Sequence, residues 1–223
     1  VLDISPYTYP NSVKMSMKRG PVTVPDVQIR ASGDVRTVRV IEVIPDQNLT
    51  GAAEARLRVE DGVLMPDTEA DVLPIVVVER HGRSGRIGKA FVRGMKLREG
   101  AIAESVSHDT HNIIAVGTNY KDLVTAINRV IAMNGGISMI RGDKVVGDLP
   151  LRIGGLMTDE MDGRAMSEKI AELHRLAKEE LGCGLHVPFM HLSFLSLVTS
   201  PKWKITDHGL IDTERFEILP VLL

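Results

Sequence analysis

Residues 101–116 read AIAESVSHDTHNIIAV, two apolar segments on either side of a polar turn. Residues 101–106 and 113–116 are short runs rich in Ala, Ile and Val, a pattern that is typical of buried strands. Between them, residues 105–112 are polar or ionisable in all but one position. Short buried strands joined by a polar turn predict a sheet whose strand ends carry reactive side chains.

The sequence before this stretch is also rich in strands. Valines alternate with charged residues from Val35 to Val43, and residues 56–59 alternate with period two before an Asp61-Gly62 turn. Residues 75–78 form a continuous apolar run, and residues 87–92 predict another strand.

Two helices follow. The first is predicted from Asn119, which can cap it, to the Gly135-Gly136 pair, and the second from about Asp162 to Leu181 with Gly182 as its stop. Between them, residues 137–140 and 145–149 read as a hairpin, and the tail reads as loop-rich. The predicted class is α/β, or α+β, with strand-rich mixed sheets, two principal helices and no TIM barrel within this chain.

The first 33 residues differ from the rest because four prolines interrupt them. Proline fixes φ and removes a backbone donor, so long regular elements are not expected there. We interpret residues 1–33 as a connector from a preceding domain and residues 34–223 as one domain.

Composition excludes several classes of function. The formal net charge is −2 and aromatic residues make up 4% of the chain, with no basic block, so nucleic acid is not an expected partner. No apolar run approaches the ~20 residues of a membrane-spanning helix. Cys183 is the single cysteine, which excludes an internal disulfide and fits a cytoplasmic protein.

The polar turn is the first candidate site. His108, Asp109, His111 and Asn112 could bind a metal, transfer a proton or hydrogen-bond a polar substrate. Ser105 and Ser107 lie in the same turn and could contact a substrate. The alternative is a turn whose side chains satisfy its own backbone. As a metal site the pattern is incomplete, because His-x-x-His supplies only two ligands.

The second candidate is the segment after residues 75–78. Glu79, Arg80 and His81 are followed by Gly82 and Gly85, which allow the backbone to approach a ligand closely. A substrate-binding loop and a solvated surface turn both fit this pattern, although the spacing of a Walker phosphate loop is missing.

Several runs resemble the adenine deaminase family, and together they extend from about Val35 to the end of the chain. They are residues 76–82 (VVVERHG), 100–103 (GAIA) with 105–112 (SVSHDTHN), 113–119 (IIAVGTN), 149–151 (LPL) with 155–160 (GLMTDE), 188–190 (PFM) with 192–195 (LSFL), and 206–212 (TDHGLID). The resemblance implies an amidohydrolase that converts adenine and water to hypoxanthine and ammonia.

In this superfamily a TIM-like barrel holds one or two divalent metals, typically manganese or iron, and the first ligands come from a His-x-His motif. This sequence contains no His-x-His. The resemblance therefore implies that no metal is bound within this chain. The metal-binding barrel then precedes residue 1, is a separate chain or is absent, and the proline-rich connector favours the first option. The segment alone is then expected to be inactive, and the resemblance also implies a homo-oligomer.

Three hypotheses follow from the sequence. The chain is the C-terminal domain of an adenine deaminase, packed on the barrel, with His108, Asp109, His111 and Asn112 reaching the purine or the metal-bound water. Alternatively it serves only packing and oligomerisation, or it is a stand-alone module that binds a purine without catalysis.

Overall fold

A computed structural model describes residues 7–223. The helices, in chain order, are α1 (Asn11–Lys14), α2 (Val24–Val27), α3 (Tyr120–Ala132), α4 (Gly163–Leu181) and α5 (Pro188–Phe194). The strands are β1 (Val35–Val43), β2 (Thr50–Glu60), β3 (Val63–Leu64), β4 (Val72–Val78), β5 (Ile87–Arg93), β6 (Ala101–Glu104), β7 (Ile113–Gly117), β8 (Gly136–Arg141), β9 (Lys144–Pro150), β10 (Trp203–Thr206), β11 (Gly209–Asp212) and β12 (Glu217–Leu219).

Nine strands form one mixed, open sheet in the order β3-β2-β1-β5-β4-β7-β6-β8-β9. The β1–β5 pair is parallel and the other pairs in this sheet are antiparallel. All seven residues of the central strand β4 are buried, because both faces of the sheet are covered. The predicted class, α/β with mixed sheets, two principal helices and no barrel, is confirmed for residues 7–223.

Opposite faces of the sheet carry different coverings. On one face α2 and α3 pack against Val76, Val78, Ala101 and Ala103. On the other, α4, α5 and the small sheet β10-β11-β12 pack against residues such as Ile102. Alternate residues of one strand therefore point into two different cores.

Both long helices have side-chain N-caps, and the cap at Asn119 was predicted. The Asn119 side chain accepts a hydrogen bond from Asp122 N, and the Asp162 side chain accepts one from Ala165 N. Gly182 ends α4 with a φ of 63°, the left-handed conformation that favours glycine at this position. Both helices were predicted because each carries a cap, an apolar stripe and a glycine beyond its end.

The connector contains two single-turn helices and lies against the rest of the chain. Val22 and Val27 are buried. Asn128 of α3 holds the segment with two hydrogen bonds, one from Val22 N at 2.8 Å and one to Val22 O at 2.9 Å. Residues 1–6 of the predicted connector lie outside the described residues, and its role as a link to a preceding domain stays a prediction.

The tail is more regular than its sequence suggested. Instead of a loop-rich segment, it forms α5 and the three-stranded sheet β10-β11-β12. Helix α5 has only seven residues and no side-chain cap, and the three strands have three or four residues each. Elements this short carry too few residues for a clear periodic pattern.

Of the helices within residues 7–223, none is both long and apolar enough to cross a membrane.

Candidate functional site

The loop after β4 is organised around the Glu79 carboxylate. Its oxygens accept hydrogen bonds from the backbone N–H groups of residues 81, 83, 84 and 85, at distances between 2.6 and 3.2 Å. Burial alone would raise the pKa of Glu79, but these four donors outweigh it and lower the pKa. Glu79 is therefore an ionised group that holds the shape of this loop.

Arg80 joins this loop to the polar turn and to the connector. Its guanidinium donates to His111 O (2.5 Å), Gly154 O (2.7 Å) and Ser16 Oγ (3.1 Å). Only 1% of Arg80 is exposed, and within residues 7–223 it forms no ion pair with a carboxylate. Gly155 permits this packing, because a Cβ there would lie 2.9 Å from Arg80 Nη2.

The two loops meet because β4 and β7 are neighbours in the sheet. Val78 pairs with Ile113, so the end of β4 and the start of β7 lie side by side. Asn112 Oδ1 accepts a hydrogen bond from Arg80 N (3.3 Å), and His81 Nε2 lies 2.8 Å from Thr110 O. The structure thus brings both sequence-predicted groups into one polar cluster.

His108 and His111 lie together within the turn. Their ring centroids are 5.6 Å apart, and the His108 ring stacks on Phe194 of α5 at 5.3 Å. His111 has a φ of 50°, and its buried Nδ1 has no hydrogen-bond partner within residues 7–223. Burial lowers the pKa of His111, and the nearby His108, Arg80 and His81 lower it further against the opposing charge of Asp109. At neutral pH, His111 is therefore an uncharged ring.

The two serines of the turn are buried and hydrogen-bonded. Ser105 Oγ donates to Gly155 O (2.6 Å) and accepts from Gly136 N (2.8 Å). Ser107 Oγ lies 2.6 Å from Ser196 Oγ, and Ser196 also donates to the carbonyl of His108. Both hydroxyl groups therefore fix the turn, and the predicted contact of Ser105 and Ser107 with a substrate stays a prediction.

The cluster opens to the surface at a depression of about 480 Å³. Its lining includes the predicted residues Glu79, His81 and Asn112, together with Asp207 and His208 from the tail. His108, Asp109 and His111 lie beside this depression and do not line it. The depression therefore unites three of the predicted side chains with two residues from the opposite end of the sequence.

The tail reaches the cluster by packing closely on β5. A Cβ on Gly88 would lie 1.8 Å from Thr206 O, so only glycine allows the β10–β11 turn to sit there. That turn carries Asp207, whose Oδ1 is 3.5 Å from Asn112 Nδ2, and His208, whose Nε2 is 2.8 Å from Arg86 Nη1. Nothing local in the sequence shows this long-range contact, so His208 was not among the predicted site residues.

In the part of the chain from residue 7 to 223, no group of three or more His, Cys, Asp or Glu side chains could hold a metal ion.

Sequence reasoning also missed Glu104, the last residue of β6. It is 1% exposed and lines a separate cleft of about 650 Å³ between the sheet, α4 and α5. The signal was available, because strand alternation places Glu104 on the same face as the core residue Ile102. An acidic residue two positions after Ile102 on the same strand points into the same core and is therefore buried.

Comparison with known proteins agrees with the family resemblance. The family model described as "Adenine deaminase C-terminal domain" matches residues 47–217. "Adenine deaminase 1" of Carboxydothermus hydrogenoformans is 59% identical over 220 residues, which cover 99% of this chain. "Adenine deaminase" of Archaeoglobus fulgidus is 41% identical and that of Methanococcoides burtonii 40% identical, each over 96% of this chain.

The chain spans 36% of the length of each of these three relatives. The match of the family model and the identity to these relatives show that the chain belongs to the family of adenine deaminase C-terminal domains.

Proposed function

We propose that the full-length protein hydrolyses adenine to hypoxanthine and ammonia, in purine salvage or catabolism, and that this chain is its C-terminal domain. The observation that carries the proposal is the 59% identity, across nearly the whole chain, to a protein named adenine deaminase.

We propose that the reaction takes place at the junction of this domain with a preceding amidohydrolase barrel. In this account the barrel holds the manganese or iron that activates water, as the family resemblance implies. The role of this chain is then to bind, orient or exchange protons with the purine.

The proposed contact surface consists of residues 79–86, 105–112 and 206–209. His81 and Asp109 are exposed on it, whereas Arg80 beneath them holds the loops together. A carbonyl oxygen can only accept, so the contact with Thr110 O places the proton of neutral His81 on Nε2. In that tautomer Nδ1 is a hydrogen-bond acceptor for a purine N–H group or for water.

His111 supplies a second group of this kind. It is uncharged at neutral pH, and its Nδ1 has no partner within the described part of the chain. Asp109 next to it would stabilise the charged ring after proton uptake, since its charge favours protonation of His111. These properties suit a group that accepts and releases a proton during each reaction cycle.

We propose further that the protein is a cytoplasmic homo-oligomer. The single cysteine, Cys183, is buried and has no second cysteine in the chain with which to form a disulfide, which suits a reducing compartment. Light scattering of the full-length protein measures the oligomeric state directly, and a monomer at micromolar concentration would contradict this part of the proposal.

The experiment that tests the activity is a product assay. The full-length protein, loaded with manganese, is incubated with adenine, and hypoxanthine and ammonia are quantified. We expect one mole of each for every mole of adenine consumed. Failure to release ammonia from adenine, with release from another aminopurine, would overturn the assignment of the substrate.

A further inference from the structure

A second site lies on the other side of the polar turn. The 650 Å³ cleft is bounded by the ends of β6, β8 and β9, the segment before α4, and helices α4 and α5. Val106 of the turn lines this cleft, whereas Asn112 of the same turn lines the depression described above. The two sites are therefore distinct, and they share one wall.

The cleft wall contains two buried polar groups that bind nothing in the described part of the chain. Glu104 Oε1 and Ser193 Oγ have no hydrogen-bond partner within residues 7–223. Each residue is 1% exposed. Folded proteins satisfy roughly 90% or more of their buried polar groups, so two exceptions in one cleft point to a ligand that completes them.

Three ionisable side chains, Glu104, His174 and Asp162, line the cleft, and the Asp162 side chain is used to cap α4. Burial raises the pKa of Glu104 well above its usual value, which favours the protonated form of its carboxyl group. Burial, together with nearby His186, lowers the pKa of His174, which leaves that ring neutral. A protonated carboxyl group offers one donor and one acceptor side by side.

The remaining walls suit a flat, apolar molecule. Four of the ten methionines of the chain line the cleft, and they are Met157, Met161, Met166 and Met190. The rings of His174 and Phe189 stack at 5.2 Å with an angle of 16° between their planes. Both of these rings line the cleft. The thioether side chains of the methionines adapt to the shape of a ligand.

We propose that this cleft binds an uncharged planar nitrogen heterocycle, whose neighbouring hydrogen-bond donor and acceptor pair with the Glu104 carboxyl group while Ser193 binds a further polar atom. The site goes beyond the proposed function, because it lies apart from the polar cluster and requires no chemical step.

Two probes that differ in one group test the proposal. In 9-methyladenine, the 6-amino donor stands beside ring nitrogen acceptors, whereas 9-methylpurine lacks the amino group and offers acceptors only. The full-length protein is labelled with ¹³C in its methionine methyl groups, and the signals of the four cleft methionines are assigned by single Met→Leu substitutions. This readout reports binding in the cleft even when the probe also binds elsewhere.

We expect 9-methyladenine to shift the four cleft signals in a saturable manner and to bind at least tenfold more tightly there than 9-methylpurine. Equal affinity for the two probes, or no shift at millimolar 9-methyladenine, would overturn the proposal.

Two substitutions of Glu104 test whether its hydrogen bonds, and not only the shape of its side chain, contribute to ligand binding. Glu104→Gln keeps a donor and an acceptor, so we expect its affinity to stay within about threefold of the wild type. Glu104→Leu removes both and is expected to bind at least tenfold more weakly, while Glu69→Gln, an exposed control, leaves the affinity unchanged. Wild-type affinity in Glu104→Leu would contradict the proposal.

Ser193→Ala gives an independent test if Glu104→Leu does not fold, and we expect its affinity to fall by at least threefold. Unchanged affinity in Ser193→Ala would contradict the proposal, because the Ser193 hydroxyl group is proposed to bind the ligand. Because the readout is methionine methyl shifts, this result is distinguishable from a failure of the adenine assay.

Discussion

Arg80 and Glu104 are both almost fully buried, but they differ in the hydrogen bonds that their side chains form. Arg80 has carbonyl and hydroxyl oxygens around its guanidinium, whereas Glu104 Oε1 has no partner within residues 7–223. Desolvation of a polar group costs free energy unless hydrogen bonds replace the lost water. Arg80 is therefore a structural residue, and Glu104 is a residue whose burial lowers stability until a ligand binds.

The pH dependence of stability tests this view of Glu104. The folded-state pKa is raised well above 4.5, its ordinary value, so above pH 4.5 folding takes up a proton at Glu104. The free energy of unfolding therefore falls as the pH rises, by at most about 1.4 kcal/mol per pH unit for one group. The glutamine side chain of Glu104→Gln cannot ionise, so the free energy of unfolding of this variant does not fall for this reason as the pH rises.

We expect Glu104→Gln to match the wild type near pH 4.5 and to be more stable at pH 7.5, by at least about 1 kcal/mol. Urea unfolding of the 223-residue chain, followed by the fluorescence of its single tryptophan, Trp203, measures this difference. Glu69→Gln is the exposed control. A difference between Glu104→Gln and the wild type that stays the same at both pH values would contradict the buried, protonated carboxyl group.

At the level of elements, the regular parts of the fold could be predicted and the short ones could not. Helices α3 and α4 and the β8–β9 hairpin carry caps, glycines and apolar periodicity within their own sequence. Helix α5 begins at a proline after Val187, without a capping side chain. The tail strands exist because they pack on the large sheet, which is information that a local pattern does not contain.

The contact between the small sheet and β5 gives a prediction at this level. A Cβ on Gly88 would overlap Thr206 O, so we expect Gly88→Ala to push the β10–β11 turn away from β5. Overpacking of this kind costs about 1–3 kcal/mol. The fluorescence of Trp203, on β10, should report both the lower urea midpoint and a change in the folded-state signal.

Gly20→Ala is the matched control for this substitution, since nothing lies within 4 Å of a Cβ at Gly20. Equal stability of Gly88→Ala and Gly20→Ala would show that the tail does not pack on β5 as described.

Across the whole molecule, strand order decides which side chains meet. The groups at residues 79–81 and 105–112 were each identified from the sequence as polar segments at strand ends. Their proximity follows from the β4–β7 pairing, and the arrival of Asp207 and His208 follows from the packing of β10–β11 on β5. Neither contact is between residues close in sequence. The sequence therefore identified the two polar segments of the cluster but did not show that they lie together or that Asp207 and His208 join them.

The arrangement of the whole molecule also explains how one domain can carry two proposed sites. The polar turn lies between the depression and the cleft, and α5 contacts it through the stacking of Phe194 on His108. Several ionisable side chains line the depression, whereas most of the residues that line the cleft are apolar. Their chemistries suit proton transfer in the first and recognition of a neutral ring in the second.

The most direct test of the central claim is the rate of adenine deamination by the full-length protein after substitution of the turn histidines. General acid–base groups contribute ~10²–10⁴-fold to a rate. We therefore expect His108→Ala and His111→Ala each to lower kcat at least tenfold, while His186→Ala, an exposed histidine outside the cluster, stays within twofold. A kcat within twofold of the wild type for both turn variants would contradict a role of the polar turn in the reaction.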